Sequence, residues 1–251
     1  APTESDVQIV YWDGDLVVVN KPSGITSVHH ASERGRTMRR RQYQRTLEDY
    51  VNLILKKLSP RRAATPVRPV HRLDRDTSGL MVFARTKAAE RALSAQFRAH
   101  TTERRYVAVV EGPAEDCTFQ ARLVRDRGDG RRGVSRDDRS GKSAVTHVRV
   151  IESLGKYALV ECRLETGRTH QIRIHLADHG WPLCGEKVYR KPLGKPEIKD
   201  HSRAPRLALH AALLGFEHPR TGERLRFESA PPKDLADFLR SLRNPRRKRS
   251  E

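Results

Sequence analysis

What most limits the fold of this chain is a succession of short apolar runs, many of them alternating with polar residues. They are VQIVYW at 7–12, LVVVN at 16–20, GLMVFART at 79–86, RRYVAVVEG at 104–112, SAVTHVRVIES at 143–153, YALVECRLE at 157–165, LALHAALLGFEHP at 207–219 and RLRFES at 224–229. Runs of this length, bounded by Gly, Pro or Asp, read as strands. Helical spacing occurs elsewhere: Leu47, Tyr50, Val51, Ile54, Leu55 and Leu58 share one helix face, Ala88, Ala92, Leu93 and Phe97 a second, and Leu235, Phe238, Leu239 and Leu242 a third. Thr46 and Thr86 stand where N-caps belong, and PPKD opens the last helix. Strand signals outnumber helical ones and follow one another across short turns such as DGD at 13–15. That pattern predicts an α+β class with a mixed, largely antiparallel central sheet and flanking helices rather than a doubly wound sheet.

The strand and helix signals run from the first residues to about Leu242 without an internal repeat, which predicts a single domain over residues 1–242. Two basic, apolar-poor stretches interrupt it, RGRTMRRRQYQR at 34–45 and VRDRGDGRRGVSRDDRSGKS at 124–143. Both read as insertions on the surface. Residues 243–251, ending in PRRKRSE, cannot bury apolar surface and are expected to be disordered, either as a solvated tail or as a further basic contact.

Charge narrows the partner. With 50 Lys and Arg against 31 Asp and Glu the net charge is +19, more than solubility demands, and a polyanion, nucleic acid first, is the expected partner. Membrane binding is not expected, because no 18-residue apolar run occurs and the basic residues do not alternate with a strong apolar helical face. Cys117, Cys162 and Cys184 are widely spaced and odd in number, which speaks against a disulfide framework or a zinc cluster. The opening APTESDVQIVYWDG lacks a secretory pattern, so a reducing, cytoplasmic setting is expected.

Two segments carry the chemistry. HRLDRDTSGL, residues 71–80, crowds His71, Arg72 and Arg75 against Asp74 and Asp76 ahead of a turn and a strand. The stretch is either a loop whose charges pair with one another or a carboxylate held ionised by neighbouring cations for nucleophilic or general-base work. LETGRTHQIRIHLADHG, 164–180, holds His170, His175 and His179, yet lacks the Glu or Cys partners of a zinc motif, and no metal is expected. Tyr106 opens an apolar strand behind two arginines, and a lone Tyr there is more often a packing residue than a catalyst.

Taken together these segments resemble the RluA-type pseudouridine synthases. HRLDRDTSGL looks like the catalytic motif of that family; RRYVAVVEG, LETGRTHQIRIHLADHGWPLCGE and RLALHAALLGFEHPRTGERLRFESAPP follow as its later motifs, and VVVNKPSGI precedes them. The resemblance runs from about Asp6 to Leu242 and implies the family's fold, with a catalytic cleft in the sheet domain. It covers the catalytic domain alone. The S4 RNA-binding module that many relatives carry is not expected, since strand signals begin within ten residues of Ala1.

The resemblance implies an enzyme that isomerises uridine in structured RNA, transfer or ribosomal, without cofactor or metal. The glycosidic bond breaks, the base turns, and C5 is joined to C1′. Asp74 would be the essential aspartate, as nucleophile towards C1′ or C6 or as the base that removes the C2′ proton. Arg173 would accompany it as the paired cation, and Tyr106 would lie near the uracil ring and take the C5 proton. A stacked uridine must leave its helix to react, and Arg72 would fill the vacated place, unless it serves only to balance Asp74 or contact phosphate. His71, Arg75, Arg168, His170 and Gln171 are expected around the bound nucleotide, His71 as a hydrogen-bonded structural residue rather than an acid and Arg75 as a phosphate or carboxylate partner, with Arg39, Arg40 and Arg41 on the RNA backbone. A stem-loop is the expected target, and the protein is expected to act as a monomer. The alternative on the same fold is a noncatalytic RNA-binding or RNA-remodelling protein.

Overall fold

The predicted caps start their helices as read. In the computed structural model, which describes residues 2–29, 45–59, 65–137, 139–191, 193–194 and 196–244, Thr46 closes a capping box with Asp49 ahead of α1 (Leu47–Leu58). Thr86 accepts the Ala89 N–H ahead of α2 (Lys87–Ala99). The basic insertion with Arg39, Arg40 and Arg41 lies outside the described residues, as does the tail from 245.

The chain packs as two compact units. The first comprises Ala1–Arg104 and Ala211–Ser229. Its strands are β1 (Gln8–Trp12), β2 (Leu16–Lys21), β3 (Arg68–Pro69), β4 (Ser78–Ala84), β10 (Leu209–Glu217, from Ala211 onward) and β11 (Arg224–Glu228). They lie in the order β1-β2-β4-β10-β11, with β3 added against β4. The DGD turn makes the β1–β2 hairpin, and β2 pairs with β4 antiparallel, Lys21 opposite Gly79. All seven residues of β4 are buried, so it reads as a continuous apolar run and not as an alternation. Leu16, Val18, Leu80, Val82, Leu214 and Phe216 form the core with Ala89 and Leu93 from α2. Each of the Leu, Val and Phe side chains removed from water contributes about 1.5–3 kcal/mol.

The second unit comprises Arg105–His210 and Ala230–Glu251. Its sheet runs β5-β9-β8-β6-β7, built from β5 (Glu103–Glu111, the unit taking it from Arg105), β6 (Cys117–Val124), β7 (Gly133–Val134), β8 (Lys142–Leu154) and β9 (Tyr157–Leu164). The four pairings are all antiparallel, and Tyr106, Cys162, Val148 and Cys117 stand in one row across the strands. α3 (Gln171–Asp178) lies on the face of this row: Gln171 and His175 reach Thr146, and Ile174 and Ala177 pack with Leu123 and Ala144. α4 (Lys233–Arg243) packs Leu235, Phe238 and Leu239 with Val109 and Leu159. Those two strand residues alternate to the opposite face from Tyr106 and Cys162. The α+β class and the largely antiparallel pairing are as the sequence predicts. β6 is the strand that its composition did not announce, since Thr118 and Gln120 face outward and only Phe119, Ala121 and Leu123 mark the inner side.

Candidate active site

HRLDRDTSGL forms the loop leading from β3 into β4, and what shapes it is backbone bracing. Lys21, 1% exposed at the end of β2, donates from Nζ to the carbonyls of Pro22 (3.0 Å) and Arg75 (2.9 Å). The Ser27 hydroxyl donates to Leu73 O (2.7 Å) and accepts the Leu73 N–H (3.1 Å). Gly24 N–H also reaches Arg75 O (2.8 Å), and Ser23 Oγ reaches Asp76 O (2.7 Å). The segment KPSGITS thus fastens its neighbour on both sides of Asp74, which is half-buried. A buried ammonium bonded to two carbonyls is a strong clamp, because leaving any of the three groups unpaired costs their desolvation.

The loop's charges are not paired with one another. Among the described residues no ion pair joins Arg72 or Arg75 to Asp74 or Asp76; Arg75 Nε donates instead to Gly24 O (3.2 Å), and Arg72 is exposed. His71 is stacked on Phe97 (4.4 Å between centroids, 18° between planes) and its Nε2 accepts the Val82 N–H at 3.0 Å. Burial, with the Arg104 charge adding to it, pushes the His71 imidazole down to about 3. It is neutral, with its acceptor nitrogen committed to β4.

In the second unit Tyr106 (9% exposed) and α3 share one face of the sheet. His170 adopts a left-handed backbone (φ 59°) as the N-cap of α3, and its Nδ1 lies 2.6 Å from the Tyr189 hydroxyl. Gln171 is braced on every side: Oε1 accepts the Thr166 hydroxyl (2.7 Å) and the Arg168 N–H (2.9 Å), and Nε2 donates to Val145 O (2.9 Å) and Thr146 Oγ1 (3.0 Å). Arg168 Nε donates to Ser143 O at 2.9 Å. Arg173 is buried and meets Glu186, which the sequence reading did not single out, through Nε to Oε2 (2.7 Å) and Nη2 to Oε1 (2.8 Å). Burial alone would push the Glu186 carboxyl up; the Arg173 bonds and charge, with the N–H groups of Val188 and Tyr189, hold it below the usual range.

Sequence reasoning passed over Glu186 because a glutamate in GEKVYR, beside basic residues, looks like solvated surface. For Lys21 a signal did exist, a cation closing an apolar strand, though nothing in it tells inward from outward. Among the described residues one trio could suggest a metal, Asp13, Asp15 and His218, whose ligand-type atoms lie within 4.8 Å of one another. Asp13 Oδ1 already accepts the N–H groups of Asp15 and Leu16, Asp13 Oδ2 meets the Tyr11 hydroxyl and His218 Nε2, and Asp15 Oδ2 accepts from Arg220 Nε. The cluster is a latch on the β1–β2 hairpin.

Comparison with known proteins defines the class to which this chain belongs. Residues 15–178 match the family described as RNA pseudouridylate synthase. The chain is 40% identical over 247 residues to a ribosomal large subunit pseudouridine synthase D of Zymomonas mobilis, covering 96% of this chain and 74% of that protein. It is also 40% identical over 240 residues to an RNA pseudouridine synthase of Bacillus subtilis, with 95% and 73% covered. The structure of human RNA pseudouridylate synthase domain containing 4 superposes with a TM-score of 0.74 at 26% identity, over 94% of this chain and 93% of that one. The chain therefore belongs to the RNA pseudouridylate synthase family. Within it the chain is of the RluA type, and it is an enzyme that converts uridine in RNA to pseudouridine. No described helix is long and apolar enough to cross a membrane.

Proposed function

We propose that the RNA is ribosomal, as the names of the relatives suggest, and that the target uridine sits in a stem-loop from which it is flipped before reaction. Asp74 attacks the nucleotide or removes the C2′ proton; Arg173 supplies the positive charge that accompanies its carboxylate; Tyr106 takes the C5 proton once C5 is bonded to C1′. The observation that carries this reading is the bracing of the Asp74 loop, which fixes the backbone on both sides of one half-buried carboxylate while leaving Arg72 exposed. An exposed arginine with no ion pair among the described residues is suited to enter the space a flipped base leaves. His170 and Arg168 border the nucleotide, Gln171 braces the Arg168 backbone, and Arg75, with Arg39, Arg40 and Arg41, meets phosphates. The protein works as a monomer, in the cytoplasm, with side chains alone performing the proton transfers.

Tritium release from ribosomal RNA transcripts labelled at uridine C5 tests this reading. Release by the native chain and none by Asp74→Asn is the expected result, with Tyr106→Phe releasing far more slowly. Release from transfer RNA alone would overturn the ribosomal assignment, and a fully active Asp74→Asn would overturn the role of the loop.

A further inference from the structure

Arg173 is held more firmly than a merely buried cation needs to be. Glu186, only 3% exposed, grips the Nε and Nη2 edge of the guanidinium with both carboxylate oxygens, while the Tyr189 ring lies under Cζ at 5.2 Å. The grip is itself anchored. Glu186 Oε1 accepts the N–H groups of Val188 (2.7 Å) and Tyr189 (3.3 Å), and the Glu186 N–H donates to Leu183 O. Gly185 has φ +78° and its N–H meets Asp200 Oδ2 at 2.6 Å; a Cβ there would come within 2.5 Å of Arg206 C and 2.9 Å of Leu207 N. Tyr189 is fixed in turn by His170 Nδ1.

A buried ion pair adds little net stability over well-packed apolar groups. What it does supply is direction: a planar guanidinium fixed along one edge and stacked on one face has a single orientation left. We propose that Glu186 is the positioning residue for Arg173, orienting the guanidinium for its catalytic role. The inference rests on the catalytic reading of Arg173 given above. Glu186 touches no substrate; it acts through the arginine.

The test is steady-state turnover on a ribosomal RNA transcript by Glu186→Gln, Glu186→Asp, Arg173→Ala and the double variant Arg173→Ala/Glu186→Gln. Gln keeps the volume but turns an NH₂ group towards the guanidinium, so kcat should fall about 10²-fold, as for a catalytic group displaced by about 1 Å, with KM unchanged. Asp keeps the charge at shorter reach and should recover about tenfold of that loss. The double variant should be no slower than Arg173→Ala alone, since Glu186 has nothing left to orient. Native kcat in Glu186→Gln, or a further drop in the double variant, would overturn the proposal while leaving Arg173 catalytic. Native kcat in Arg173→Ala would instead remove the reading on which it rests. Should Glu186→Gln fail to fold, Glu186→Asp decides: a tenfold fall in kcat at constant KM supports the proposal, and native kcat overturns it.

Discussion

At the scale of single residues, the enzyme depends on groups that act through others. Lys21 is buried, and its ammonium joins the end of β2 to the carbonyl of Arg75 within the Asp74 loop. Lys21→Met keeps the aliphatic stem and deletes the donor, so two carbonyls lose a charge-assisted bond. We expect a loss of about 2–4 kcal/mol in urea unfolding and a fall of more than tenfold in turnover; a variant of native stability would show the clamp to be idle. Gly79 sets the other side of the loop. Its φ is +116°, and a Cβ would stand 2.6 Å from Ala211 N and 2.8 Å from Ala211 C, atoms of a neighbouring backbone that cannot swing aside. Gly79→Ala should therefore cost more than about 3 kcal/mol, measurable as a lowered denaturation midpoint, and near-native stability would contradict the packing described. The glycine in DTSGL is accordingly a packing requirement as well as a turn signal.

Among the elements, legibility followed periodicity. α1, α2 and α4 each bury one stripe, and their spacing and caps were readable from Leu47, Thr46, Thr86 or Phe238. α3 was not: Gln171 to Ala177 are all buried, so no polar face exists to set a period, and the same letters fit a strand or a helix. The candidate site divides the same way. Asp74, Tyr106 and Arg173 were legible because their motifs resemble a known family, whereas Glu186 and Lys21 depend on contacts distant in sequence that no local pattern encodes. The arm between β6 and β8 holds a finer lesson. Three of its acids are turned inward on the backbone: Asp126 accepts from Gly128 and Gly130, Asp129 from Arg131 N and the Arg127 side chain, and Asp137 from Arg139 and Ser140. Arg127 and Arg131 also tie the arm to the carbonyls of Lys191 and Val188. Arg125, Arg136 and Arg139 remain exposed. Replacing Arg136 and Arg139 by Ala should raise KM for RNA several-fold, leave kcat unchanged and lower the slope of log affinity against log salt by about 1.4–1.8; an unchanged slope would exclude these residues from the RNA backbone.

For the molecule as a whole, acid is the condition to which the fold is most exposed. His175 lies 2% exposed, with Nδ1 on Thr146 and, among the described residues, no partner at Nε2, and burial lowers its pKa from 6.5 to about 4. His71 in the other unit is lowered further, to about 3. Because the folded values lie below the unfolded ones, the unfolded chain binds protons first: stability is intact above pH 6.5 and declines as the pH falls towards 4, by about 3 kcal/mol for His175. Carboxylates with depressed values, such as Glu186 and Asp13, lose their contribution only at lower pH. Urea midpoints at pH 7 and 5 should thus differ, and His175→Asn, which can still bond to Thr146, should narrow the difference; an equal fall in both proteins would discount the histidine. The interleaved make-up of the two units bears on synthesis. In the finished sheet β4, buried along its whole length, lies between β2 and β10, and β10 enters that unit at Ala211, more than a hundred residues after β4 has been made. A nascent chain that has emerged as far as His210 therefore carries a largely apolar strand edge that β3 covers only at Phe83 and Ala84, a template for adhesion to other chains. Stalled or truncated products ending before β11 should be the species that engage chaperones, and co-translational maturation of the first unit must await its last two strands.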